Sequence, residues 1–206
     1  MANKYYAYLI ENEDIMGIVN TWDECKERIS KKKARYKSFK SKLDATLWLE
    51  GGGIYEDKKA KKEILKAQLV DGIYFDAGTG RGIGVEVRVT DKVGNSLLEE
   101  YLPKEMVTIH QNYLAPAGST NNYGELIGLY LAIDIAVKKR ALKIFGDSNL
   151  VIKFWSKGAY NRENLNEKTI SLIEKVIEKR KKFEKLGGTV EHVSGDVNPA
   201  DLGFHK

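Results

Sequence analysis

The chain has 206 residues, with 34 Lys and Arg against 29 Asp and Glu, and a formal net charge of +5. A hydrophobic share of 42% with 31% charged residues excludes a disordered chain and describes an ordinary soluble globular one. Its longest apolar stretch, Leu126 to Val137, is interrupted by Asp134 and is too short to cross a bilayer. The first residues, Met-Ala-Asn-Lys-Tyr-Tyr, lack the apolar core of a secretory signal. Cys25 is the only cysteine, so no internal disulfide can form, and a reducing, cytoplasmic setting is expected. Its expected role is that of a small buried hydrophobe.

Residues 4 to 49 read as a small α+β module. Strands are expected over Lys4 to Leu9, Gly17 to Asn20 and Arg35 to Phe39. One helix should begin near Trp22, where Thr21 and Glu24 form a capping box. A second is expected over Ser41 to Glu50, with Leu43, Leu47 and Trp48 on one face. Gly51-Gly-Gly53 breaks regular structure, and the lysine-rich stretch Lys58 to Lys66 reads as a flexible or weakly helical linker. The expected domains are therefore 1–50, a basic linker over 51–68, and 69–206.

From Leu69 the pattern becomes three strands, then helix, strand, helix, helix and a last strand. Leu69 to Asp76 has strand character. Gly84 to Thr90 alternates Val85, Val87 and Val89 against charged residues, and Asn95 to Leu102 is expected to return as its hairpin partner. A helix over Asn122 to Lys139 carries Leu126, Leu129, Tyr130, Ile133 and Val137 on one face. Leu142 to Gly146 is a short strand, followed by a helix from Ser148 to Lys157. A long helix over Leu165 to Leu186 should bury Ile170, Ile173, Ile177 and Phe183, and Thr189 to Val193 is the last strand.

Charge is unevenly spread. Residues 1 to 50 hold ten Lys and Arg against eight acids, and 51 to 66 hold five against three, so the first third supplies most of the excess. Lys31, Lys32, Lys33, Arg35, Lys37, Lys40 and Lys42 form a run without an acid. Such a run is ordinarily a solvated face, but aromatic neighbours turn it toward nucleic acid. Four acids stand in suggestive contexts: Asp76 at the end of an apolar strand before Ala-Gly-Thr-Gly-Arg-Gly, Glu125 in a helical first turn after Asn121-Asn122, Asp147 at a strand-to-helix junction, and Asp201 in Asn198-Pro-Ala-Asp. Each alone is as readily a cap or a turn residue. Gathered by the fold they would repel one another unless a cation lay among them, and oxygen ligands select hard cations such as magnesium or manganese.

Tyr-Phe-Asp-Ala-Gly, Asn-Asn-Tyr-Gly-Glu-Leu, Gly-Asp-Ser-Asn-Leu-Val-Ile and Asn-Pro-Ala-Asp stand in the order of the four acidic motifs of type 1 ribonuclease H. Lys-Tyr-Tyr-Ala-Tyr, Thr-Trp-Asp-Glu-Cys and Ala-Arg-Tyr-Lys-Ser-Phe resemble the hybrid-binding domain that precedes many such catalytic domains. The final Ala-Asp-Leu-Gly-Phe-His-Lys resembles that of the short-tailed bacterial members. The resemblance implies an α/β fold, a ribonuclease H-like mixed five-stranded sheet flanked by helices, plus a small α+β domain with a three-stranded antiparallel sheet and two helices.

It further implies hydrolysis of the RNA strand of RNA/DNA hybrids by a monomer, leaving 5′-phosphate and 3′-hydroxyl ends. Asp76, Glu125, Asp147 and Asp201 would hold two Mg2+, with Mn2+ as a substitute. Gly78, Asn121, Asn122 and Ser148 would meet the hybrid, the first three in a minor groove where 2′-hydroxyls mark RNA. In the small module, Trp22 and Tyr36 would stack on the DNA strand and Lys37 would contact phosphate; packing into a small core accounts for the two aromatics equally well. Tyr6 and Phe39 read as core.

One departure from the family concerns its mobile histidine. His192 lies on the last strand, Asp196 falls nearer the loop position and is an auxiliary candidate, and His205 reads as a tail residue. Two rival readings remain: a related-fold DNA nuclease or resolvase, and a non-catalytic hybrid-binding protein.

Overall fold

Apolar residues on both faces of Tyr5–Ile10 suit a central strand, and this segment, β1, lies between two others. β2 (Ile15–Val19) and β3 (Ala34–Phe39) pair with it antiparallel in the order β2-β1-β3. α1 (Trp22–Ile29) places buried Cys25 against Tyr8 and Ile10, and α2 (Lys42–Glu50) places Ala45 and Leu49 against Ala7. Both helices begin at hydroxyl caps: the Glu24 N–H donates to Thr21 Oγ1 at 3.3 Å and the Asp44 N–H to Ser41 Oγ at 3.5 Å. The structure, a computed structural model, describes residues 4–55 and 57–204.

The apolar face of α2 differs from expectation. Ala45, Trp48 and Leu49, spaced three and four apart, meet the sheet, whereas Leu43 and Leu47 lie on the opposite side, 66% and 55% exposed. The glycine turn after α2 folds back on the module. Trp48 Nε1 donates to the Ile54 carbonyl at 2.8 Å, and the Tyr55 hydroxyl both accepts from the Tyr36 N–H at 2.8 Å and donates to the Tyr36 carbonyl at 3.0 Å. Because β3 is an edge strand, Tyr55 satisfies a backbone pair that would otherwise offer itself to another strand.

The chain divides into two units, Met1–Lys61 and Lys62–Lys206, and helix α3 (Lys58–Ala67) crosses the division. The second unit is a five-stranded mixed sheet: β4 (Ile73–Gly78) at the centre, β5 (Glu86–Thr90) and β6 (Tyr113–Leu114) antiparallel on one side, β7 (Lys143–Gly146) and β8 (Thr189–His192) parallel on the other. The crossovers are α4 (Asn121–Lys139) and α5 (Glu167–Lys185). Among the described residues no helix is long and apolar enough to cross a membrane.

The expected hairpin partner of β5 fails to form. Asp91 Oδ1 accepts the N–H groups of Val93, Gly94 and Asn95, each at 2.9 Å, and so closes a tight turn. After a single bridge from Thr90 to Ser96, however, Leu97 and Leu98 enter the core and the chain turns into a 3-10 segment, Leu98–Glu100. Tyr113–Leu114 takes the place beside β5. The helix expected after Asp147 is a π turn, Leu150–Phe154, followed by a 3-10 turn. Buried Arg180 from α5 donates to the Ile152 carbonyl and to Ser156 Oγ, both at 2.6 Å, which satisfies backbone that an α-helix would have paired internally. Within α5, Ile170, Ile173 and Phe183 are buried and Ile177 is only partly so.

α4 approaches β4 and β5 unusually closely. An added Cβ at Gly124 would lie 2.4 Å from Val85 Cγ1 and 2.9 Å from Ala77 Cβ, so only glycine lets the first turn settle there. Helix propensity favours Gly124→Ala by about 1 kcal/mol, but the clash should cost more, roughly 1–3 kcal/mol. The expected result is a net loss of stability in urea denaturation; a variant as stable as the wild type would show that the helix can move aside freely.

Candidate functional site

Asp76 lies near the carboxyl end of β4, and the parallel register pairs Tyr74 with Phe145. Two residues further on, that register sets Asp76 beside Asp147, the residue after β7. The close seating of α4 brings Glu125 over the same strand end, where its Oε1 accepts the Ala77 N–H at 3.2 Å. Ligand oxygens of Asp76, Glu125 and Asp147 all lie within 4.8 Å of one another. Asp76 and Glu125 are buried and Asp147 is half-buried.

Asp201 arrives by a separate route. Asn198, buried in the Asn-Pro-Ala-Asp turn, donates to the Phe75 carbonyl at 3.0 Å and accepts the Ala200 N–H at 3.1 Å, which anchors that turn to the back of β4. Asp201 then lines a cleft of about 180 Å³ together with Asp76, Gly78, Thr79 and Asn121. The Leu202 N–H donates to Asp76 Oδ2 at 3.3 Å. Asn121 and Asn122 are exposed on the first turn of α4, Gly78 is buried in β4, and Ser148 Oγ accepts the Val151 N–H at 3.4 Å. Asp196 is exposed on a 3-10 turn that passes Asp147, for an added Cβ at Gly195 would lie 2.7 Å from Asp147 Oδ2. His192 is exposed on β8, and His205 lies outside the described residues.

The site carries an electrostatic conflict. Burial first, then the Asp147 charge, pushes Asp76 up to about 6, and burial followed by the Asp76 and Asp147 charges pushes Glu125 up to about 10. Among the described residues no donor reaches the buried Glu125 Oε2. Two things can satisfy such an oxygen: a proton held between Glu125 and Asp76, or a cation. An all-carboxylate donor set with an orphaned buried oxygen fits a hard, oxygen-seeking ion. The triad could therefore hold a metal ion.

A pH dependence follows from Asp76. Its carboxyl is raised in the folded state, so between about 4 and 6 the native protein holds a proton that the unfolded chain has lost, and stability falls as pH rises through that window. A change from 3.8 to about 6 corresponds to roughly 3 kcal/mol. Glu125, raised further still, adds a loss of the same sign over this range, so denaturation of the chelator-treated protein at pH 4.5 and pH 7 should show both, and Asp76→Asn should reduce the slope without abolishing it. An unchanged slope in that variant would remove Asp76 as one of its sources.

In the first unit, Trp22 and Tyr36 meet with ring centroids 5.3 Å apart while remaining 40% and 44% exposed. The Tyr6 ring stands 6.0 Å from that of Trp22 and is half-buried. The aromatic pair is thus on the surface rather than sealed in the core. Lys37 points to the other face of β3, its ammonium 5.4 Å from the Phe39 ring centroid. Part of the basic run is already engaged: Lys32 pairs with Glu13 at 2.8 Å, and Lys33 and Arg35 pair with Glu11 at 2.8 and 2.7 Å. Hydrogen bonds from Lys33 and Arg35 hold the Glu11 carboxyl below its ordinary range.

Sequence reading missed one group beside the site. Glu86, expected on the charged side of an alternating strand, is fully buried and accepts from Arg81 at 2.9 and 2.8 Å and from Asn112 Nδ2 at 2.8 Å. Alternation hides this, because a strand covered on both faces buries its polar positions too.

Fold and site together define a class: a two-unit α/β chain whose larger unit gathers carboxylates at the carboxyl ends of a mixed five-stranded sheet. Residues 4–49 match the family model of the ribonuclease H1 N-terminal domain. The five-stranded sheet that follows is consistent with a ribonuclease H fold. A search of curated proteins and a search of solved structures found no match.

Proposed function

We propose that the protein is an endonuclease that hydrolyses the RNA strand of RNA/DNA hybrids, leaving 5′-phosphate and 3′-hydroxyl ends. The observation that carries this reading is the meeting of Asp76, Glu125 and Asp147 within 4.8 Å, in a chain whose residues 4–49 match the family model of the ribonuclease H1 N-terminal domain. Asp76, Glu125, Asp147 and Asp201 would hold two divalent ions, Mg2+ or Mn2+. Ions bound there supply a nucleophilic water at neutral pH and charge stabilisation for the departing oxygen.

The remaining roles fall to this chain's own groups. A proton held between buried Asp76 and Glu125 would have to leave for these carboxylates to hold a cation, which would couple loading to pH. Asn121 and Gly78 line the cleft with Asp76, Asn122 follows on the exposed first turn of α4, and the three would test for 2′-hydroxyls. Ser148 sits beside Asp147 as a further contact, and Asp196 is the candidate for assisting proton transfer. Residues 1–50 grip the hybrid through Trp22 and Tyr36 on one face of the sheet, with Lys37 reaching a phosphate from the other side of the edge strand β3; 51–68 join the parts, and 69–206 cut, in a cytoplasmic monomer.

Matched RNA/DNA, RNA/RNA and DNA/DNA duplexes with Mg2+ test the substrate class. Cleavage of the RNA strand of the hybrid alone is the expected result. Preferential cutting of DNA/DNA would instead indicate a related-fold DNA nuclease.

A further inference from the structure

The Phe204 ring occupies space that the glycine loop leaves beside the carboxylates. A Cβ at Gly80 would lie 2.1 Å from Phe204 Cγ, and one at Gly78 would lie 2.8 Å from Phe204 Cδ2. The open side of these glycines is thus taken by a side chain of the same protein. On the ring lies Arg81, whose guanidinium carbon is 5.0 Å from the centroid. Arg81 is itself fixed, since both Glu86 oxygens accept from it at 2.9 and 2.8 Å and Glu86 is fully buried. A buried carboxylate is tolerated only when paired, so the pair defines one position for the guanidinium and hence one for the ring.

The residues just before the ring reach the metal-binding carboxylates. The Leu202 N–H donates to Asp76 Oδ2 at 3.3 Å, and Asp201 Oδ1 accepts the Gly203 N–H at 2.9 Å while Asp201 lines the cleft with Asp76. Asp201 is not among the three acids that already converge, so its distance from them depends on how this short segment is held. The Asn198 anchor fixes the turn ahead of it, and Phe204 fixes the chain behind it.

We propose that residues 201–204 form a clasp in which Phe204, seated between the glycine loop and Arg81, is a positioning residue that brings Asp201 into the ligand set. A second divalent ion is then held tightly only while the ring is seated. The proposal rests on the metal-binding reading given above.

Titration of the full chain with Mn2+ at 25 °C, followed by the electron paramagnetic resonance signal of the free ion and by calorimetry, tests it. The wild type should bind two ions. Phe204→Ala should weaken the weaker event by tenfold or more and leave the stronger within about twofold, at unchanged far-ultraviolet circular dichroism. Phe204→Tyr should restore the weaker event, because an aromatic face for Arg81 is kept. Gly80→Ala, which drives a methyl group into the ring, should reproduce the loss. Gly80→Ala combined with Phe204→Ala should be no worse than Phe204→Ala alone, since the clash is gone. Two events in the wild type with both single variants unchanged would overturn the clasp and spare the metal reading. A single event in the wild type would also overturn the clasp, and no Mn2+ binding at all would overturn both.

Discussion

Asp147→Asn is expected to abolish divalent-dependent cleavage of the hybrid, by about three orders of magnitude or more, while the metal-free protein becomes more stable. Asp147 lies with Asp76 and Glu125 inside a 4.8 Å cluster, and its charge contributes to the upward shift of both. Removing that charge takes away a ligand and a source of repulsion together. Neutralising one member of such a cluster should relieve about 1 kcal/mol, roughly the worth of one pKa unit, or about 2–4 °C in Tm for a chain of this size. Addition of Mg2+ should stabilise the wild type and not the variant, since an ion that binds only the folded state raises stability by mass action. The measurements are single-turnover cleavage, hybrid affinity, and thermal unfolding with and without Mg2+. Unimpaired hydrolysis in the variant would sink the assigned site. Intact binding together with a wild type that never cleaves would favour a non-catalytic hybrid-binding protein.

The second large effect is expected at the aromatic pair. Trp22→Ala and Tyr36→Ala should each weaken hybrid binding by about tenfold or more, because stacking of a base or sugar on an aromatic face is worth roughly 1–3 kcal/mol. Both rings are about two-fifths exposed, so truncation should remove a contact surface at little cost in stability. Lys37→Ala should act differently, weakening binding uniformly and lowering the salt dependence by about one charge. Lys32, Lys33 and Arg35 already pair with Glu11 and Glu13, so their substitution should change the salt slope less than Lys37→Ala does. Equal affinity of the Trp22 and Tyr36 variants and the wild type across salt concentrations would show that the pair is packing rather than a binding surface.

Much of this was legible along the chain because its cause is local. Thr21 and Ser41 announce helix starts through the hydrogen bonds their own hydroxyls accept, and the spacing of Leu126, Leu129 and Ile133 marks the buried face of α4 whatever it packs against. Misreadings arose where two local patterns competed or the deciding partner was remote. Asp91 closes a turn that looks like a hairpin, yet Leu97 and Leu98 are drawn into the core and the pairing stops after one bridge. Ser148 to Lys157 looks helical, but buried Arg180, 24 residues beyond Ser156, satisfies a wider π turn.

The residue types, the order of the acidic motifs and the periodicities are written in the chain, and with them the α/β class and a carboxylate chemistry suited to hard cations. Which of the acids meet is set by folding. Asp76 and Asp147 are brought together by the parallel register of β4 and β7, and Glu125 by the glycine that lets α4 touch the sheet. Likewise, only the fold shows that Glu86 is buried and that the Phe204 ring lies against the glycine loop beside Asp76. The reason is physical: propensity and periodicity act within a few residues, whereas burial, repulsion between carboxylates and ring contact depend on distances that the chain sets only by folding.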